Sequence, residues 1–207
     1  MAEQNHVGID LGGTKTEIIV LDGHGNSLLR ERQRTRDGYA GIIDGVAELL
    51  AMAEARLGRR ADTVGIGTPG ALSPATGRVK NSNSTVLNGA PLKRDLETVL
   101  ARSIGMANDA DCFALSEAVD GAGAGYSTVF GVIVGTGCGG GIVVNGALLS
   151  GPNAIAGEWG HNPLPWPRDE DQPLPPCYCG QRGCIETYLS GPGLAADFER
   201  RGGDERT

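Results

Sequence analysis

Aromatic side chains are scarce, at 4% of the 207 residues, so any core must be built from aliphatic packing. Long apolar runs are also missing. Val129 to Val134 is typical of the longest, far short of the roughly 20 residues a membrane helix needs. No partner membrane is therefore expected. The opening MAEQNHVGID carries neither a basic n-region nor an apolar h-region, so no signal peptide is expected either. Positive charge is in deficit: 18 basic against 25 acidic side chains, a formal charge of -7, with no basic stripe. That argues against sequence-independent nucleic-acid binding, which depends on clustered Lys and Arg. Glycine is abundant, at 34 residues, but without the fixed period of collagen.

The glycines punctuate apolar runs. His6 to Leu11 and Thr16 to Leu21 read as strands around GGTK, and Ser27 to Arg34 reads as a third. Gly41 to Leu57 has helical apolar spacing. A strand is expected at Thr63 to Gly67, and then a polar loop, Ala71 to Gly89. Pro91 to Ala101 reads as a helix, Ile104 to Ala107 as a strand and Ala110 to Val119 as a helix. DGAGAG then marks a hinge-like change. Thr128 to Val134 and Gly141 to Val144 pair around GTGCGGG, and Asn162 to Pro176 is a long Pro-rich loop. Helices are expected at Cys184 to Leu189 and, after Pro192, at Leu194 to Arg200. Strands mixed with helices, and glycine turns at strand ends, predict a pair of α/β domains with a cleft, residues 1–118 and 119–207.

Three motifs invite phosphate chemistry. In Asp10-Leu11-Gly12-Gly13-Thr14-Lys15 a tight turn bares backbone N–H groups, Thr14 adds a hydroxyl and Lys15 a cation. Asp10, at a strand end, could hold Mg²⁺. An ordinary hairpin turn explains the same residues about equally well, and no Walker A loop is present. Gly135-Thr136-Gly137-Cys138-Gly139-Gly140-Gly141 has more glycine than a hairpin needs, which favours phosphate binding. Asn108-Asp109 closes a strand before a helix. A carboxylate there can accept a proton from an attacking hydroxyl, while helix capping accounts for the pair equally well.

The fourth motif is Gly157-Glu158-Trp159-Gly160-His161 followed by Cys177-x-Cys179-x4-Cys184. His161, Cys177, Cys179 and Cys184 could form a closed Cys₃His zinc site, with the structural role of pinning the Pro-rich loop. A Cys177–Cys179 disulfide would be badly strained at that separation. With no export signal, the cluster suits a reduced, cytoplasmic setting. Cys112 and Cys138 read as ordinary core or turn residues.

Together these motifs resemble the ROK family (repressors, open reading frames and sugar kinases) over essentially the whole chain. GEWGH followed by CYCGQRGCIE is the most specific part. KNSNSTVLNG, ANDADCFALSEAVDG and GEWGHNPLPW look most like its fructokinase branch. The resemblance implies an actin-like (ribonuclease H-like) ATPase fold and ATP-dependent phosphorylation of a hexose, fructose or mannose favoured, at its 6-hydroxyl. The cofactors implied are ATP, Mg²⁺ and structural Zn²⁺. Asp109 matches the family's catalytic base. Asn108, Glu158, His161 and Glu186 match sugar-binding residues, and Gly70 and Asn83 match further sugar-facing loops. Asp10, Gly12, Gly13, Thr14 and Lys15, with Gly135, Thr136, Gly137, Gly139 and Gly140, match the two phosphate loops. A homodimer is common among relatives. Alternatives are a kinase for glucose or an N-acetylhexosamine, or a non-catalytic sugar-binding regulator, although no room for a helix-turn-helix module is expected ahead of the first strand. Family kinases continue well past the CIE helix, so a second domain lacking its end is expected.

Overall fold

The computed structural model describes residues 4–203; the outer ends of both expected domains lie outside the described residues. Two compact units are present. The first runs to Asp109 and takes in Pro152–Ala154; the second comprises Ala110–Gly151 and the chain from Ile155. Sequence reading put the boundary at 118/119, whereas the units change over between Asp109 and Ala110, so the helix that follows goes with the second unit.

In the first unit, β1 (Asn5–Leu11), β2 (Lys15–Asp22) and β3 (Ser27–Arg34) form an antiparallel meander. Helix α1 (Gly38–Leu57) follows and stops at Gly58, whose left-handed φ of 68° turns the chain so that the Arg59 N–H reaches the carbonyl of Glu54. Strand β4 (Thr63–Thr68) runs parallel to β1. The stretch read as a polar loop contains the two-residue pair β5 (Ala71–Leu72) and β6 (Val79–Lys80). Helix α2 (Leu92–Leu100) leads to β7 (Gly105–Asn108), parallel to β4. The sheet order is β3-β2-β1-β4-β7.

Alternation along β1 and β2 supplies the reason. Val7, Ile9, Leu11, Ile18 and Val20 all point to one buried face and meet Ile42, Val46, Leu49 and Ala53 of α1. Each fully buried aliphatic side chain contributes about 1.5–3 kcal/mol. Because β1, β4 and β7 are parallel, their carboxyl ends fall together, with Asp10 level with Gly67, and Thr68 with Asn108.

The second unit opens on α3 (Asp109–Val119), whose first residue still counts with the first unit. Strands β8 (Thr128–Val134), β9 (Cys138–Val144) and β10 (Ala147–Leu148) form an antiparallel sheet, the last too short to be read from sequence. A side chain at Gly131 or Gly141 would sit 2.8 Å from the Ala114 methyl group, so these glycines let α3 lie flush on the sheet. Two C-terminal helices follow, α4 (Glu186–Leu189) and α5 (Gly191–Arg200). Helix α5 begins before Pro192, not at Leu194 as expected: Ser190 caps it by accepting from the Gly193 N–H at 3.0 Å, and proline is tolerated in a first turn. Among the described residues no helix is long and apolar enough to cross a membrane.

Candidate functional site

Each unit carries part of the predicted constellation. In the first unit, Gly12 to Thr14 join β1 to β2. The Gly12 N–H closes the turn on the Lys15 carbonyl at 3.0 Å, and Thr35 ties it from outside, its hydroxyl donating to the Gly12 carbonyl at 2.7 Å and its N–H to that of Thr14. The turn is thus a hairpin, and it is also more. Among the described residues the N–H groups of Gly13 and Thr14 have no backbone acceptor, which suits a small anion nest. A side chain at Gly13 would meet the Ser84 hydroxyl at 2.6 Å. Ser84 therefore backs the turn, a role that sequence reading missed. Asn83 beside it is exposed.

Asp10, Thr68, Asn108 and Asp109 gather at the same end of the parallel strands. The Asn108 amide donates to the Gly70 carbonyl at 3.0 Å, joining two predicted sugar-facing positions. Gly70 has φ 79°, and a side chain there would meet the Lys80 carbonyl at 2.5 Å, so only glycine fits. Thr68 Oγ1 is buried without a hydrogen-bond partner. Asp109 is exposed. Burial raises the Asp10 carboxyl above its ordinary 3.8, and the charges of Asp109 and Glu17 push it further. A divalent cation would relieve that crowding, so Asp10 fits the Mg²⁺ expectation.

In the second unit, Gly135 to Gly137 join β8 to β9. The Gly135 N–H closes on the Gly137 carbonyl at 2.9 Å, while those of Thr136 and Gly137 have no backbone acceptor among the described residues. Gly139 and Gly140 lie within β9, not in the turn. A side chain at Gly140 would meet the Gly131 carbonyl at 2.6 Å, so this glycine serves strand packing.

His161, Cys177, Cys179 and Cys184 converge, their donor atoms all within 4.8 Å of one another. His161 Nδ1 lies 3.5 Å from Cys177 Sγ, and Cys179 Sγ lies 3.6 Å from Cys184 Sγ. Four donors bound at zinc distances sit roughly 3.5–3.8 Å apart, so the residues fit a tetrahedral ion. Burial, and hydrogen bonding to Cys179, push the Cys184 thiol up to about 12. A hydrogen bond from the Gln181 backbone lowers Cys179. The other nitrogen of His161 shares a 2.9 Å hydrogen bond with the Tyr178 hydroxyl, and the rings meet edge to face. Glu158 is exposed. Glu186 is buried, 8% exposed, and its Oε2 accepts from the Cys138 N–H at 2.8 Å. That partner was invisible in the sequence, where Cys138 looked idle.

A family profile described as "ROK family" matches residues 6–206. Curated relatives named N-acetyl-D-glucosamine kinase, from Escherichia coli O127:H6 and Shigella flexneri, are each 44% identical over 196 residues, 92% of this chain and 64% of theirs. The chain thus spans about 64% of the length of those relatives. Among solved structures, the ROK hexokinase from Thermus thermophilus aligns with TM-score 0.80 and 33% identity, over 97% of this chain and 65% of that one. A ROK family glucokinase from Streptomyces griseus, solved with glucose and AMPPNP, aligns with TM-score 0.74 and 31% identity, over 96% of this chain and 61% of that one. The fold is accordingly the actin-like α/β fold.

Proposed function

The chain belongs to the ROK family, and on that premise we propose that it transfers the γ-phosphoryl group of ATP to the 6-hydroxyl of a sugar, with Asp109 as general base. One observation carries the reading. Asp10, Asn108 and Asp109 meet at the carboxyl end of three parallel strands, beside a turn whose Gly13 and Thr14 N–H groups have no backbone acceptor among the described residues. Ligands collect at such ends in open α/β sheets.

In this reading Asp109, solvent-accessible at the start of α3, takes the proton from the sugar hydroxyl as that oxygen attacks phosphorus. Asn108, held by Gly70, would contact a second sugar hydroxyl. The turns at Gly12 to Lys15 and Gly135 to Gly137 hold phosphate oxygens through backbone N–H groups and the Lys15 ammonium. Asp10 would hold Mg²⁺, whose positive charge would offset that of the phosphates. His161, Cys177, Cys179 and Cys184 would hold zinc in a structural role, which also fixes the His161 ring for sugar contact with Glu158.

Identity at 44% to relatives named N-acetyl-D-glucosamine kinase supports an N-acetylhexosamine as first choice. Fructose or mannose is the second reading, resting on the segments KNSNSTVLNG and GEWGHNPLPW. The test is ADP release from Mg-ATP with N-acetylglucosamine, fructose, mannose and glucose, on this chain and on the chain extended to its relatives' length. Sugar-dependent release that Asp109→Asn lowers by about 10²-fold or more, with sugar binding retained, is the expected result. Near-wild-type turnover in that variant would remove Asp109 from the mechanism. Sugar binding without release from either form would favour the regulator.

A further inference from the structure

Cys138, the first residue of β9, is the point on which both segments that carry the candidate metal ligands close. Its N–H donates to Glu186 Oε2 at 2.8 Å, and both groups are buried. A side chain at the preceding Gly137 would meet that same oxygen at 2.7 Å. The carbonyl of Cys138 packs against Gly160, where no Cβ fits. Trp159 Nε1 donates to the Gly139 carbonyl at 2.7 Å. The two segments also grip each other, the Glu186 N–H donating to the Gly160 carbonyl at 2.8 Å. From the same C-terminal segment, the Gly191 N–H donates to the Gly135 carbonyl at 2.8 Å. Gly160 directly precedes His161, and Glu186 stands two residues after Cys184.

We infer that the metal cluster is a clasp on the second glycine turn, and that Glu186 is the positioning residue through which metal occupancy sets the backbone of Gly135 to Cys138. The inference rests on the zinc reading above and adds to it. The ion would join His161 to Cys184, and their chain neighbours would then hold Cys138 from two sides. A buried backbone N–H loses much when its acceptor leaves, so the turn and the cluster rise and fall together. Glu186 thus acts on the phosphate side as well as on the sugar side.

Amide hydrogen exchange at Cys138, read by NMR on the 207-residue chain, tests this. Zinc content is measured in parallel. Removing zinc with a chelator should speed exchange at Cys138 about tenfold or more, with β1 and β2 amides unchanged. Glu186→Ala should give the same acceleration while zinc stays bound. Glu186→Gln retains an acceptor oxygen and should stay near wild type. Gly137→Ala, whose methyl group displaces Oε2, should accelerate exchange and serves if Glu186→Ala does not fold. Zinc loss that leaves Cys138 protected overturns the inference and spares the zinc reading. A folded chain that takes up no zinc overturns both.

Discussion

The two glycine turns solve one problem in opposite ways. Gly12 to Lys15 is fixed by its own neighbours in the sheet: Lys15 closes it, and Thr35, the residue after β3, ties it. Beneath it lies a core in which Ile18, Val20, Ala53, Leu92 and Leu96 are completely buried. Among the described residues, Gly135 to Cys138 has no such bed. The strand leading into it leaves Phe130, Val132 and Val134 about half exposed, and its backbone is held by Glu186 and Gly191, some fifty residues further along the chain. The first turn is held by apolar burial and local pairing, the second by distant polar contacts from segments that carry the converging His161, Cys177, Cys179 and Cys184. Its order should therefore depend on solution conditions that leave the first untouched.

The sharpest break in that contrast is metal removal. Cys179→Ser, or chelation, should release segment 157–190, since structural zinc contributes on the order of 10 kcal/mol. Near-UV circular dichroism of Trp159 and Trp166 should change while first-unit amide protection persists; a loss of both together would refute the division. Next comes Leu96→Ala in α2, expected to cost about 2–5 kcal/mol by denaturant titration with zinc affinity unchanged. Gly70→Ala follows: the forced left-handed φ and the Lys80 contact should cost about 1–3 kcal/mol, and thermal melting would show it.

A smaller effect concerns Asp10. Its raised pKa means that the folded chain holds this proton more tightly than the unfolded chain. Asp10 therefore lowers stability as pH rises from 3.8 through the raised value, a penalty present in full above it. Asp10→Asn should raise the melting temperature of the metal-free chain at neutral pH, and the gain should vanish well below pH 3.8. An unchanged melting temperature would show that Asp10 is not crowded. Smallest is Arg36→Ala, which removes an exposed pair with Glu48 and should change stability by about 0–1 kcal/mol.

The first unit was the more legible in sequence because its devices are local. Alternation in HVGIDL and TEIIVL sets β1 and β2, and Gly58 marks the end of α1. Ser27–Arg34 and Thr128–Val134 coincide with the expected strands. The convergence of His161, Cys177, Cys179 and Cys184 was readable because few residue types bind zinc and their spacing is narrow. What escaped reading is long-range: Ser84 behind Gly13, Trp159 on Gly139 and Glu186 on Cys138. No period links such pairs, and a buried acceptor for one backbone N–H leaves no trace in composition. The start of α5 was missed because proline was read as a break, whereas Ser190 makes it a beginning.

The sulfurs of Cys179 and Cys184 lie 3.6 Å apart. While a metal holds them as ligands, neither is available for other chemistry. Once stripped, they sit within easy reach of a shared bond, and an oxidant such as dissolved oxygen need only remove two electrons and two protons to form it. Demetallation in air should therefore become one-way, and reversibility on adding zinc back should require a thiol reductant throughout.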